Sequence, residues 1–241
     1  MRYIEKHYDS SIVMKHEEEL SNNQLDESSL TPPNESYPGR SGAELYELVR
    51  NMVTFQDLKS QLFEDQGGIC CYCGMKLEFP YDPQYRVEHV KPKEYYRALV
   101  GEYKNLLLSC KATQEENEAR IAAPKRERKK FWHCDEAKGS SELTHTPLDR
   151  DCGRYFSYLI NGEVRGSDAG AINDIKTLGL NCDYLKRRRE AALFALYDAD
   201  NQILPNDVLY ELMVNVMTRK ADNGLPEFCF VISNVIEQIL P

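Results

Sequence analysis

The sequence predicts an α+β protein, mostly helical, with a small β-hairpin and a metal-ligating group of cysteines. Three observations predict it. Apolar residues recur at helical spacing at Leu45, Leu48, Val49, Met52 and Val53, and again at Leu209, Leu212, Met213, Val216 and Met217. A short β-like section, residues 69–92, carries Cys70-Cys71-Tyr72-Cys73 and then Tyr85-Arg-Val-Glu-His-Val90. Finally, Tyr155-Phe-Ser-Tyr-Leu-Ile160, Asn161-Gly162 and Glu163-Val164 read as a hairpin, with Asn-Gly supplying the two positive-φ positions of a type I′ turn.

Taken in order, residues 1–40 are polar and broken by Pro32-Pro33, and they read as an extended arm or a loosely packed terminus. Residues 43–66 read as one helical region, ended by Gly67-Gly68. The charged stretch 111–131, interrupted by Pro124, reads as an exposed insertion. Beyond the hairpin, Leu185, Ala192, Leu193 and Leu196 lie on one helical face, and Asn206 after Pro205 is placed to cap a second helix. The expected units are an arm (1–40), a central unit (41–150) and a hairpin with a helical segment (151–241).

The chain has 241 residues, enough to bury a core without covalent staples. With 39 acidic and 30 basic residues the net charge is −9, which excludes a generally basic coat for nucleic acid. No apolar run is long enough to span a membrane, and the polar start does not read as a signal peptide, so the expectation is a cytoplasmic protein with no membrane partner. Thiols stay reduced there. The eight cysteines therefore point to metal rather than disulfides.

Cys70 and Cys73 form a C-x2-C pair, which can present two thiolates to one ion from a tight knuckle. Zinc takes four such ligands, and Cys110 and Cys134 are the candidates for the other two, with Cys152 in reserve. The alternative is a set of reduced cysteines buried as small apolar residues, the reading preferred for Cys71, Cys182 and Cys229. Between the halves of this set lies Glu88-His89-Val90-Lys91-Pro92, then Asn105, then His133-Cys134-Asp135-Glu136-Ala137-Lys138. If Asp135 opens a helical turn, it shares a face with Lys138. A neutral imidazole, hard oxygen ligands and a cation are the parts of a one-metal phosphodiester hydrolase.

The succession Cys-x-x-Cys, Glu-His-x-x-Pro, Asn-Leu-Leu-Leu-Ser-Cys and His-Cys-Asp-x-x-Lys-Gly resembles the HNH endonuclease superfamily. More narrowly it resembles the PtuB-type HNH proteins of Septu and retron-linked anti-phage systems. The opening Met-Arg-Tyr-Ile-Glu-Lys, Pro147-Leu148-Asp149, Leu178-Gly-Leu-Asn181 and Leu225-Pro-Glu-Phe-Cys229 extend the likeness more loosely over the whole chain. The resemblance implies a zinc-stabilised ββα-metal core, two strands and a helix around one divalent ion (Mg²⁺ or Mn²⁺), within residues 41–150. It makes His89 the general base, Asn105 the residue that orients the histidine-bearing loop, and Glu88 a ligand of the catalytic ion. Asp135 falls where a second ligand sits, with His133 as its alternative, and Lys138 is matched to a phosphate or leaving-group contact. The sequence departs from the pattern in having Asp135 where histidine or asparagine is usual, and 23 residues between Cys110 and Cys134. The implied activity is hydrolysis of nucleic acid, DNA favoured over RNA, beside an ABC- or SMC-like ATPase of the PtuA type. A zinc-stabilised adaptor without catalysis is the rival from another class.

Local phosphate affinity is expected from Lys125, Arg126, Arg128, Lys129 and Lys130, beside Phe131 and Trp132. The run Lys186–Arg189 reads as a solvated helix face. The acidic residues 15–27, or the C-terminal helices, are candidates for docking the ATPase.

Overall fold

Among the residues that the computed structural model describes (1–78, 85–221 and 223–241, the Lys129 side chain apart), ten α-helices and two two-stranded antiparallel sheets alternate along the chain. The protein is α+β and mostly helical.

The first forty residues do not form an extended arm. Helix α1 (Ser11–Asn22) turns Val13, His16 and Leu20 inward, and α2 (Glu27–Leu30) buries Leu30. Met1, Ile4 and Leu25 are buried as well, and the Ile4 N–H donates to the Pro147 carbonyl at 2.8 Å. The polar composition conceals this because an i, i+3, i+7 stripe of three residues is enough to dock a three-turn helix. One of the acidic residues offered for docking has an internal partner: the Glu19 carboxylate accepts the N–H groups of Val53 (3.0 Å) and Thr54 (2.9 Å). That cap marks where the single helical region expected over 43–66 divides into α3 (Gly42–Arg50) and α4 (Phe55–Gln66). Val53, expected on the buried stripe, is 88% exposed as a result.

Helix α4 leads into the small sheet that positions the site. Its last residue, Gln66, is buried, donates to the Ile69 and Leu108 carbonyls at 2.8 Å each, and accepts the Leu108 N–H at 2.6 Å. Strand β1 (Tyr85–His89) pairs with β2 (Leu106–Cys110), Tyr85 opposite Cys110 and His89 opposite Leu106. The run Leu106, Leu107, Leu108 is fully buried. Leu108→Ala is expected to cost about 2–5 kcal/mol, read as a lower urea midpoint with unchanged slope.

The charged insertion holds α5 (Gln114–Ala122), with a Thr113–Glu116 capping box, and a 3-10 stretch Lys125–Phe131. Helix α6 (Cys134–Lys138) then packs on β2. The hairpin follows as β3 (Phe156–Tyr158) and β4 (Val164–Gly166). Its turn is not the two-residue type I′ expected from Asn161-Gly162. The Leu159 N–H donates to the Glu163 carbonyl and the Gly162 N–H to the Leu159 carbonyl, and Gly162 has positive φ (74°) while Asn161 does not. The loop is therefore a type I turn closed by a left-handed glycine, the three-residue hairpin connection.

Helix α7 (Ala169–Thr177) covers β4, and α8 (Asp183–Leu193), α9 (Asn206–Met217) and α10 (Cys229–Ile239) complete the chain. Asn206 is the first helical residue of α9, and the capping position falls on Pro205. In the basic run of α8, Arg189 is buried and donates to the Gly162 and Leu180 carbonyls at 2.6 Å each, while Arg188 pairs with Glu227 at 2.8 Å. The C-terminal segment is tied back by Leu225 N–H to the Gly67 carbonyl (2.7 Å) and Phe228 N–H to the Gly74 carbonyl (2.8 Å). One hydrophobic cluster runs from Met1 to Ile236, so the units expected at 41–150 and 151–241 share a core. Among the described residues, no helix is long and apolar enough to cross a membrane.

Candidate metal centre and adjoining cleft

A tight turn builds the first half of the metal centre. Ile69 and Lys76 form an antiparallel bridge, the Cys70 N–H donates to the Met75 carbonyl (2.8 Å), and Gly74 turns the chain at φ 84°, where its hydrogen lies against the Phe230 ring. Cys70 and Cys73 thus face the same side. Cys110, at the end of β2, and Cys134, at the start of α6, bring the other two sulfurs. All four lie within 4.8 Å of one another and are buried. Cys70 and Cys134 are 3.7 Å apart, and Cys73 and Cys110 are 3.6 Å apart, far beyond a disulfide bond. Four sulfurs at about 2.3 Å from a tetrahedral ion sit about 3.8 Å from each other. The donor set and spacing fit a zinc ion. Burial opposes ionisation of these thiols, yet hydrogen bonds from Cys110 and Cys134 outweigh it at Cys70 and draw that thiol well below its usual range. Cys134 is pushed well above it by burial and by its sulfur neighbours. A cation is what relieves such crowding. Cys152, the reserve ligand, is buried but is not part of the group.

His133 lies beside the sulfurs and not with the carboxylates. Its Nδ1 is 3.4 Å from Cys134 Sγ and 3.6 Å from Cys110 Sγ, while Nε2 is 2.7 Å from Glu116 Oε1 and the ring stacks on Tyr184. It is therefore not available as the alternative ligand of a second ion. Instead the pair Glu116–His133 buttresses the cysteine cluster from the insertion. His133→Ala is expected to weaken metal retention about 10–100-fold, the usual effect of losing a ligand's hydrogen-bond partner. Competition with a chromogenic chelator measures it.

Glu88, His89 and Asp135 line one cleft of about 660 Å³. Glu88 is buried; Tyr72 Oη donates to its Oε1 at 2.7 Å and Lys138 Nζ lies 2.8 Å from the same oxygen. Burial pushes the Glu88 carboxyl well above the usual range, and the facing Asp135 carboxylate pushes it the same way, against Lys138. Asp135 is the second residue of α6, its N–H donating to Ser109 Oγ (3.3 Å), with Arg86 Nη1 at 3.7 Å from its carboxylate. Two facing carboxyl groups are hard oxygen donors, the ligand type that Mg²⁺ takes. Among the described residues, the four cysteines are the group of three or more ligand atoms drawn within 4.8 Å, so His89 stands beside the acid pair without being gathered into it.

His89 Nε2 donates to the Val100 carbonyl at 3.0 Å, which leaves Nδ1 as the acceptor in the neutral ring. Tyr46 meets the ring edge-on at 4.7 Å. Burial, and then the Lys93 charge, lower the imidazole to about 4, so it is neutral at pH 7. Asn105 fixes the turn after His89: its Oδ1 accepts the Lys91 N–H (2.7 Å) and its Nδ2 donates to the Lys91 and Leu99 carbonyls (3.1 Å each). Lys138 does not line the cleft as a phosphate contact. It is buried on Glu88 and donates to the His89 carbonyl at 2.9 Å, holding two site residues in place.

The cations of the insertion's basic run, 125–130, are elsewhere too. Lys125, Arg126, Arg128 and Lys130 are absent from the cleft wall; Arg126 and Lys130 approach Glu127, and Arg128 turns to the Ala123 and Ile121 carbonyls. The Lys129 side chain lies outside the described residues. The cations that do line the cleft are Arg50, Lys59, Arg86, Lys93 and Lys111, against the acids Glu88, Glu94, Asp135 and Glu136. Sequence reasoning missed them because they come from three elements (α3, α4 and β1) and two connecting segments and form no run. The period-two alternation of β1, which puts Arg86 on the face of Glu88, is the one available signal.

Comparison with protein-family models and with curated proteins finds no match to this chain.

Proposed function

We propose that this protein is a metal-dependent endonuclease of the HNH type, hydrolysing phosphodiester bonds of nucleic acid, DNA in preference to RNA. One observation carries it: Glu88, Asp135 and His89 line one cleft beside a four-cysteine cluster. The order β1, β2, α6 around that cluster supports a ββα-metal core.

Glu88 and Asp135 would hold the divalent ion, Mg²⁺ or Mn²⁺; when bound, it supplies Lewis-acid stabilisation of the charge that develops on phosphate and leaving oxygen. The rest falls to the chain. His89, neutral at pH 7, takes the proton of the attacking water at Nδ1. Asn105 and Lys138 hold the loop and the strand end that carry it. Arg50, Lys59, Lys93 and Lys111 give the cleft an attraction for phosphate that the net charge of −9 denies the rest of the surface. A weakly attracting surface favours delivery of substrate by a partner, for which an ABC- or SMC-like ATPase of the PtuA type in anti-phage defence is the proposal.

The test is nicking of plasmid DNA and of labelled RNA with added Mg²⁺ or Mn²⁺, alone and with the ATPase. Cleavage is expected with the wild type and not with Asp135→Ala, which keeps its zinc content. Folded, zinc-loaded wild type that cuts neither polymer, with or without the ATPase, overturns the proposal in favour of an adaptor.

A further inference from the structure

A second groove, of about 690 Å³, is lined in part by Lys130 and Trp132, which closely precede His133 and Cys134 in the chain. Its wall is apolar: Trp132, Val164, Ile172 and Ile175, with Gly179 so close that an added Cβ would stand 2.3 Å from the Trp132 carbonyl oxygen. Ile172 is 46% exposed, an aliphatic side chain presented to the groove. The rim is cationic. Lys130, Arg165 and Lys176 line it, against Asp183 alone. Lys130 and Arg165 have acidic neighbours, Glu127 at 3.4 Å and Glu163 at 3.2 Å, but these are exposed pairs that a phosphate can replace at little cost. The groove opens beside the 3-10 stretch that holds Lys125, Arg126 and Arg128.

We infer that this groove binds single-stranded nucleic acid, taking an unpaired base against Trp132 and Ile172 while Lys130, Arg165 and Lys176 hold the flanking phosphates. An apolar groove lined by three cations is complementary to a base on a polyanionic strand. A duplex, whose bases are stacked and paired, has nothing to insert. The groove offers little to read the base edge, because Asn181 accepts the Val164 N–H and donates to the Val164 carbonyl with its own amide. Binding is therefore tolerant of base identity. Trp132 lines the groove and Asp135 the cleft, three residues on, so their Cα atoms are at most about 11 Å apart. A strand held here feeds the proposed nuclease cleft, and only this last step rests on the nuclease reading.

Trp132 is the chain's only tryptophan, so its fluorescence reports on this groove directly. The full-length, zinc-loaded protein is titrated with twelve-nucleotide dT and dA strands and with the dA–dT duplex, without added Mg²⁺ or Mn²⁺. Saturable quenching by both single strands is expected, at least about tenfold tighter than by the duplex. The combined exposed-residue changes Lys130→Glu, Arg165→Glu and Lys176→Glu should weaken it at least about tenfold and flatten the dependence of log K on log salt by about 2. Ile172→Glu should weaken it with the cations intact. No quenching by either strand, or unchanged affinity in both sets of variants, overturns the inference, as does equal affinity for duplex. Quenching without cleavage leaves the groove standing and removes the nuclease; cleavage without quenching does the reverse.

Discussion

Cys110→Ser is expected to abolish zinc binding by the four-cysteine cluster and the cooperative fold together. The four sulfurs come from the knuckle, the end of β2 and the start of α6, so an ion held by them would tie a sheet to a helix across a 23-residue insertion. Structural zinc contributes an apparent 10–16 kcal/mol, about, in zinc-finger peptides, as large as the whole stability of an ordinary domain. Removing one ligand leaves three crowded buried thiols and no ion to neutralise them. The expected result is a metal content falling from about one zinc per chain to near zero, and loss of a sharp thermal transition by circular dichroism. Cys182→Ala, outside the group, should keep both. A Cys110→Ser protein that melts like the wild type would show that packing alone closes the cluster.

His89→Ala is expected to lower cleavage by about 10²–10⁴-fold, the usual contribution of a general base, with zinc content and melting temperature preserved to within a modest cavity effect. The pH dependence carries a sign. The ring is held at about 4 when folded against 6.5 when free, so the unfolded chain binds the extra proton first as pH falls. The stability that depends on a neutral His89 is complete above about 6.5 and is lost as pH falls towards about 4. Activity in the wild type should fall below about 4 for the same reason, since only the neutral ring accepts a proton. His89→Ala should flatten the acid side of the stability curve; an unchanged curve would place the acid transition on another group, such as buried His16.

Much of the site was legible before any coordinates, because ligand spacing is local chemistry. Cys70 and Cys73 need only a tight turn to face one ion, and Glu88 and His89 stand at the end of a strand whose alternation is visible in the sequence. The spacing of Asp135 and Lys138 suggested a helical turn, and both lie on α6, which begins one residue earlier, at Cys134. What could not be counted was direction. Lys138 and His133 have the composition of substrate and metal contacts, yet one faces inward to Glu88 and the other to Glu116 and sulfur. Burial decided both, and burial is a property of the whole packing. The same holds for the arm: Ile4, Val13 and Leu20 are too few among polar neighbours to announce a core, and only the cavity left by α4 and the Pro147 region gives them somewhere to go.

The sequence by itself pointed to the four thiols, whose spacing a knuckle, a strand end and a helix start satisfy, and named Glu88, His89 and Asp135 as the groups to look for beside them. The tertiary structure alone decided which cations surround them, Arg50, Lys59, Lys93 and Lys111 in place of the insertion's basic run. Long-range packing sets the positions of charges drawn from separate elements, whereas motif spacing is set by the few backbone dihedrals between neighbours.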